Sequence, residues 1–147
     1  MSDFAVYAAG FFDGEGCVRI QRGSHPSGKV YYTLHVIVVN TYLPVLQEFQ
    51  RAFGGVVKAR QKVKAHWKQG YMWRVCSRDA LAFLQVIRPH LREKQKQADI
   101  AIAFQAGMRH LGNRYVTTPP EVVEERQRMF EEITNCKRNG LDAVVVH

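Results

Sequence analysis

One arrangement constrains the fold of this chain more than any other: a short apolar helix followed by two strands, met twice in succession. The first unit opens with Asp3 to Phe12, an apolar stretch with Ser2 or Asp3 as N-cap and Gly14 or Gly16 to end it. Cys17 to Arg22 alternates polar and apolar residues, "GSHPSGK" (23–29) is rich in turn formers, and "VYYTLHVIVVN" (30–40) is dense in β-branched and aromatic side chains. Together these predict a β-hairpin with a long connection. The second unit repeats the order. Tyr42 to Phe53 carries Leu43, Leu46, Phe49 and Phe53 near helical spacing and stops at Gly54-Gly55. Val56 to Trp67 and Tyr71 to Cys76 then predict a second hairpin around Lys68-Gln69-Gly70.

Helices follow. Ser77 is the expected cap of a helix over Arg78 to Ile87 that ends near Pro89, and a longer one is expected over Leu91 to Met108. "HLGNRYVTTPP" reads as a connector, after which Thr118 would cap a helix from Pro119 or Pro120 to Cys136. The tail ends in an apolar "AVVV" that could pair or pack. The order is αββαββα with extra C-terminal helices, which predicts an α+β fold: one four-stranded antiparallel sheet, helices on one face, the other face open. The length suits a single core domain over 1–118, with 119–147 a helix and tail packed on it or extending it.

The open face is where charge matters. The chain carries 21 Lys+Arg against 13 Asp+Glu, a formal +8. Residues 1–118 hold 17 basic and 7 acidic side chains, whereas 119–147 hold 4 and 6. No acid occurs between Glu48 and Asp79, a stretch with eight basic residues. A polyanion is the natural partner. Read with period two, Lys58, Arg60, Lys62 and Lys64 share one face of the third strand, and Val57, Ala59, Val63 and Ala65 share the other with Gln61 between them. Lysines on an edge strand also guard against aggregation. Four cations in strict alternation with no acid beside them exceed that need, because adjacent like charges weaken a strand. Tyr31, Thr33, His35 and Ile37 form the non-core set of the second strand, and Arg19 and Gln21 extend it on the first. Arg and Gln make bidentate contacts to guanine and adenine, and an antiparallel ribbon fits the major groove. Trp73 and Arg74 are adjacent, so one of them faces out; Arg74 is the DNA-facing candidate, and spacing alone leaves that choice open.

Several classes of site find no support. Three cysteines, odd in number and far apart, do not make a disulfide framework, and the six histidines show no ligand spacing. The glycines of Gly14 to Gly16 lack the following helix that a dinucleotide site needs. No apolar run reaches the length of a membrane span and no secretion signal is evident, so an intracellular protein, in a prokaryotic cytoplasm or an organelle, is expected.

"YAAGFFDGEG" (7–16) poses a separate question. Two carboxylates close a helix, where the dipole disfavours them. A polar helix end capped by glycine explains Asp13 and Glu15 as well as a cation does, a divalent ion being suited to carboxylate and carbonyl oxygens. The small residues Ala8, Ala9 and Gly10 suit ordinary core packing, or the close approach of a second helix.

This stretch resembles the LAGLIDADG motif of homing endonucleases in its "GEG" form, with Ala8 where Leu is usual. "VVNTYLPVLQEFQRAFGG" (38–55) and "PHLREKQKQADIAI" (89–102) are also similar to segments of the single-motif members. The resemblance covers about residues 4–108 in order. It implies a homodimeric, Mg²⁺-dependent endonuclease, with Mn²⁺ able to substitute, that cuts both strands of a long pseudo-palindromic duplex and is intron-encoded. By the same resemblance Glu15 binds the metal together with the Gly14 carbonyl, Lys94 lies near the scissile phosphate, and Asn40 positions water. Lys96 and Arg51 could join the basic pocket. The dimer contact would be made by Ala8, Ala9, Gly10, Phe12 and Asp13. Two alternatives stay open on the same fold: an RNA-splicing maturase, and a DNA-binding regulator that does not cut.

Overall fold

The apolar residues at positions 5, 8, 9 and 12 recur at helical spacing, and α1 (Ser2–Glu15) buries that stripe completely or nearly so. The computed structural model describes residues 2–62, 64–108 and 119–138. It extends α1 three residues past Phe12, so Asp13 and Glu15 both lie in its last turn. β1 (Gly16–Ser24) leaves this helix directly and pairs antiparallel with β2 (Val30–Asn40). The junction depends on Gly16: a Cβ there would sit 2.1 Å from the Phe12 ring.

α2 (Leu43–Phe53) has Pro44 in its first turn, where the missing N–H costs nothing, and buries Val45, Leu46 and Phe49. It stops at Gly54 and Gly55, both in the left-handed region, and a Cβ on Gly55 would collide with the Arg74 carbonyl at 2.5 Å. β3 (Val56–Ala59) and β4 (Tyr71–Cys76) form the second hairpin. The sheet order is β1-β2-β4-β3, so the two hairpins meet through their later strands and β1 and β3 form the edges.

One sheet face is apolar. Val18, Ile20, Leu34, Val36, Val38, Trp73 and Val75 are buried beneath the helices. Trp73 is the centre of an aromatic cluster with Phe49, Phe53 and Phe83, with ring centroids 5.0–6.4 Å apart, and its indole N–H donates to the Gly54 carbonyl at 2.8 Å. Burying side chains of this size contributes about 1.5–3 kcal/mol each, and tilted or edge-on ring pairs add to it. α3 (Ser77–Ile87) covers the sheet with Ala80, Phe83, Leu84 and Ile87. α4 (Gln95–Ala106) adds Ala98, Ala101 and Phe104. α5 (Pro120–Arg138) buries Ile133 and packs Val123, Met129 and Phe130 against the same core, and the Tyr32 hydroxyl donates to Gln127.

Three of these elements differ in their limits from the sequence-based expectation. β3 ends at Ala59, because ladder pairing with β4 stops at Tyr71; the expected strand to Trp67 does not form, and Lys62 and Lys64 lie in a connecting loop. Ser77 does not cap α3: Cys76 is the N-cap without a side-chain bond, and Ser77 itself has φ 52°. α4 begins at Gln95, not Leu91, because Pro89 sits in a 3₁₀ turn over Arg88–His90 and the next backbone N–H groups bond elsewhere. Val63, residues 110–118 of the connector, Thr118 among them, and the "AVVV" tail lie outside the described residues.

Candidate active site and nucleic-acid interface

The face of the sheet opposite the helices is set by register. Arg19 pairs with His35, Gln21 with Thr33 and Ile37 with Arg74, while Lys58 pairs with Met72. Residues paired across strands share a face, so Arg19, Gln21, Tyr31, Thr33, His35, Arg74 and Lys58 all point away from the core. Arg74 is the outward residue and Trp73 the buried one. Tyr31 lies across Gly23 and against His25, at 5.0 Å between ring centroids, next to the loop that connects the two strands. His35 Nδ1 approaches Cys76 Sγ at 3.4 Å. Burial first, then the Arg19 and Arg74 guanidiniums, hold the His35 imidazole below its ordinary value, so it is neutral at pH 7 and adds no charge of its own.

At the junction of the sheet and the end of α1 lies an open cleft of about 470 Å³. Among the residues that line it are Glu15, Asn40, Arg60, Lys62, Trp67 and Lys68. Elements far apart in sequence thus bring one acid, two amides (Asn40 and Gln61) and three cations together. Glu15 is exposed and takes part in no hydrogen bond or ion pair among the described residues. Asn40 Oδ1 accepts the Tyr42 backbone N–H at 2.8 Å, which fixes the amide and leaves its NH₂ as the free donor. Arg60 remains close to the sheet: its N–H donates to the Gly70 carbonyl at 2.8 Å, while Gln69 Nε2 donates to the Arg60 and Gly70 carbonyls at 2.6 and 2.9 Å. Of the four cations expected on one strand face, only Lys58 lies in β3; Arg60, Lys62 and Lys64 follow its end, and the Lys64 ammonium lies over the Trp67 ring.

Asp13 plays a different part from Glu15. Its carboxylate accepts the backbone N–H groups of Arg92 at 2.8 Å and Lys94 at 3.1 Å. Lys94 Nζ returns the contact by donating to the Asp13 carbonyl, a cation at a helix C-terminus where the dipole favours it. Lys94 is therefore anchored at the end of α1 rather than among the residues lining the cleft. Asp13 is bonded within its own chain and only partly exposed, so little of it is left over for the expected dimer contact. The same holds more strongly for Ala8, Ala9 and Phe12, all 0% exposed inside their own core. Their small or flat side chains serve the approach of α1 to α3 and the sheet. Gly10 alone of that expected set is exposed, beside Val6, Tyr7 and Gly14. Arg51 lines a separate groove with Phe4, Glu48 and Ala52 and does not join the Glu15 cleft.

Trp67, Lys68 and Gln61 line the cleft without having been singled out from sequence. Reading 56–67 as one strand hid Gln61 and Trp67, and Lys68 was read only as part of the turn that follows; a loop in place of the strand brings them to the cleft that Glu15 lines. For a divalent cation, the donor set is hard oxygen: the Glu15 carboxylate, with the Gly14 carbonyl in the same turn. Among the described residues no group of three or more His, Cys, Asp or Glu is placed to hold a metal. One chain thus fits half of such a site. The rest would have to come from a second copy, water or a phosphate, as Mg²⁺ commonly requires. Among the described residues no helix is long and apolar enough to cross a membrane.

No protein-family model matches the chain, and no curated protein matches it in sequence. Solved structures do. The homing endonuclease I-CvuI in complex with its target in the presence of calcium aligns at TM-score 0.72 and 19% identity, over 90% of this chain and 81% of that one. I-TnaI, a homing endonuclease, aligns at TM-score 0.68 and 20% identity, over 98% and 97%. The archaeal intron-encoded homing endonuclease I-Vdi141I, complexed with DNA, aligns at TM-score 0.72 and 16% identity, over 92% and 85%. At these identities the likeness is one of fold, and the fold is that of the LAGLIDADG homing endonucleases.

Proposed function

We propose that this protein is a homodimeric, intron-type homing endonuclease that hydrolyses one phosphodiester in each strand of a long duplex site. The observation that carries the reading is the Glu15 cleft: a free carboxylate at the end of a helix, lining one cleft with Arg60, Lys62 and Lys68, at the margin of an outward basic sheet. A protein that only binds DNA has no use for an unpaired acid beside its phosphate-gripping cations, since the acid repels the ligand. The fold is one whose solved members include DNA complexes, which supports duplex DNA over RNA as the partner.

Each residue then has a task. Arg19, Gln21, Tyr31, Thr33, His35, Lys58 and Arg74 present donors, acceptors and aromatic surface to base edges and backbone. Arg60, Lys62 and Lys68 hold the phosphates next to the bond to be cut. Glu15 and the Gly14 carbonyl would hold Mg²⁺, which when bound supplies charge neutralisation and a more acidic water. Asn40, its carbonyl occupied by Tyr42, offers its NH₂ to that water or to a phosphate oxygen. Asp13 and Lys94 fix the end of α1, and with it the direction in which Glu15 points.

Two copies are needed because one chain brings one such acid. The exposed strip of α1 supports this. Gly10 and Gly14 are four apart on a helix surface, and a Cβ at either would meet nothing within 4 Å. Helix-interior glycine costs about 1 kcal/mol relative to alanine and nothing among the described residues requires it, whereas a second helix packed close on that strip would. The deciding experiment uses duplex DNA of the gene's own locus without the intervening element, with and without Mg²⁺. Glu15→Gln should abolish cleavage and leave duplex binding in place. Nicking by that variant at the wild-type rate would sink the assignment.

A further inference from the structure

The chain has two tryptophans, and they differ sharply. Trp73 is fully buried, whereas Trp67 is 49% exposed and stands apart from the core. Nothing in the fold needs a large aromatic at the tip of a basic loop. Its surroundings are nonetheless organised. The base of the loop is pinned by the Arg60–Gly70 backbone bond and by Gln69, and the tip is closed by the Trp67 N–H donating to the Lys64 carbonyl at 3.1 Å. The Lys64 ammonium lies 5.5 Å from the Trp67 ring centroid. An indole held by a cation in this way keeps its remaining surface free, at little further entropic cost to a ligand. That surface lines the same cleft as Glu15 and Asn40, with Lys62 and Lys68 beside it.

We infer that Trp67 is a nucleotide-contacting residue: its indole packs against a base or sugar next to the scissile phosphate, while Lys62 and Lys68 grip the phosphates on either side. The inference rests on the nuclease reading and extends it to how the site grips the base pairs at the point of cutting. Aromatic side chains meet nucleic acid by stacking on exposed bases or by wedging between base steps, and both tolerate any sequence. Trp67 would thereby help open the duplex at the cut, a task that the hydrogen-bonding residues of the sheet face do not perform.

Trp67 reports on itself, because acrylamide reaches it and not the buried Trp73. The shielding arm uses the uncleaving Glu15→Gln protein, with a duplex enriched from a random pool by binding to this chain. Adding that duplex should abolish most acrylamide quenching of the exposed tryptophan. The kinetic arm uses the otherwise wild-type chain on the same duplex. Trp67→Ala should slow single-turnover cleavage roughly tenfold, with Trp67→Phe retaining most of the rate. Thermal unfolding should be unchanged in both, as expected for a side chain outside the core. A duplex that is cut while Trp67 stays fully open to acrylamide, or a Trp67→Ala protein that cuts at the wild-type rate, overturns this inference alone. A duplex that shields Trp67 yet is never cut by the wild-type chain upholds the contact and sinks the nuclease reading.

Discussion

Two carboxylates separated by one glycine have opposite duties. Asp13 accepts two backbone N–H groups from a segment nearly eighty residues away and so fastens the end of α1 to the start of α4. Glu15 faces open solvent. Hydrogen bonds to a charged group are worth about 1.5–3 kcal/mol, so Asp13→Ala should lower unfolding free energy by about 2 kcal/mol. Glu15→Gln should change it by less than about 0.5 kcal/mol. Urea unfolding of both variants checks the pair, and equal losses would contradict the division of labour. The resemblance to a known motif set Glu15 apart as the metal-binding acid but did not give the bonding of Asp13. Spacing alone gave two acids at a helix end, and the partner N–H groups of Arg92 and Lys94 belong to a distant segment whose approach only tertiary packing fixes. Parity was also unreadable at Trp73 and Arg74, where one residue of slip exchanges core for surface; the Ile37–Arg74 pairing resolves it.

Among the elements, α1 shows how burial reassigns a motif. Its small residues were read together as a contact for a second helix, but they divide by face: Ala8 and Ala9 pack inward, and Gly10 and Gly14 remain outside. A helical wheel carries that distinction, yet which stripe is core depends on where α3 and the sheet lie. Gly10→Leu should therefore separate chain stability from assembly. The monomer should be unharmed or slightly stabilised, by up to about 1 kcal/mol, because leucine prefers the helix. Sedimentation should show the change from two copies to one, and double-strand cleavage should be lost. A dimeric Gly10→Leu protein would place the interface elsewhere. The long second strand was readable residue for residue, since "VYYTLHVIVVN" has no competing reading. β3 was overextended because alternation continued past the point where β4 had any residue left to pair with it.

Across the whole molecule, most of the sheet's cations share one face. Arg19, Lys58 and Arg74 point away from the core, whereas α5 carries acids on its exposed surface, among them Glu125 and Glu132 held by Arg128. The sequence already showed this imbalance between 1–118 and 119–147, and in the fold α5 packs along the β1 edge, where Lys137 donates to Cys17 Sγ and lines a groove with Arg19 and Gln21. Duplex affinity should fall steeply as salt rises, and Lys58→Gln should lower the slope of log affinity against log salt by about one per chain, because each phosphate contact releases roughly one counterion. Fluorescence anisotropy over a salt series measures it. An unchanged slope would mean that Lys58 does not touch the backbone.

β2 is 11 residues long, which at the usual rise spans roughly 36 Å, close to one turn of B-DNA. Two copies laid end to end would then cover about two turns, roughly 20 base pairs. A stretch of that length, even imperfectly read, occurs about once among the ~10⁶–10⁹ positions a genome offers. The length of a single strand thus sets how rarely such a protein finds somewhere to act.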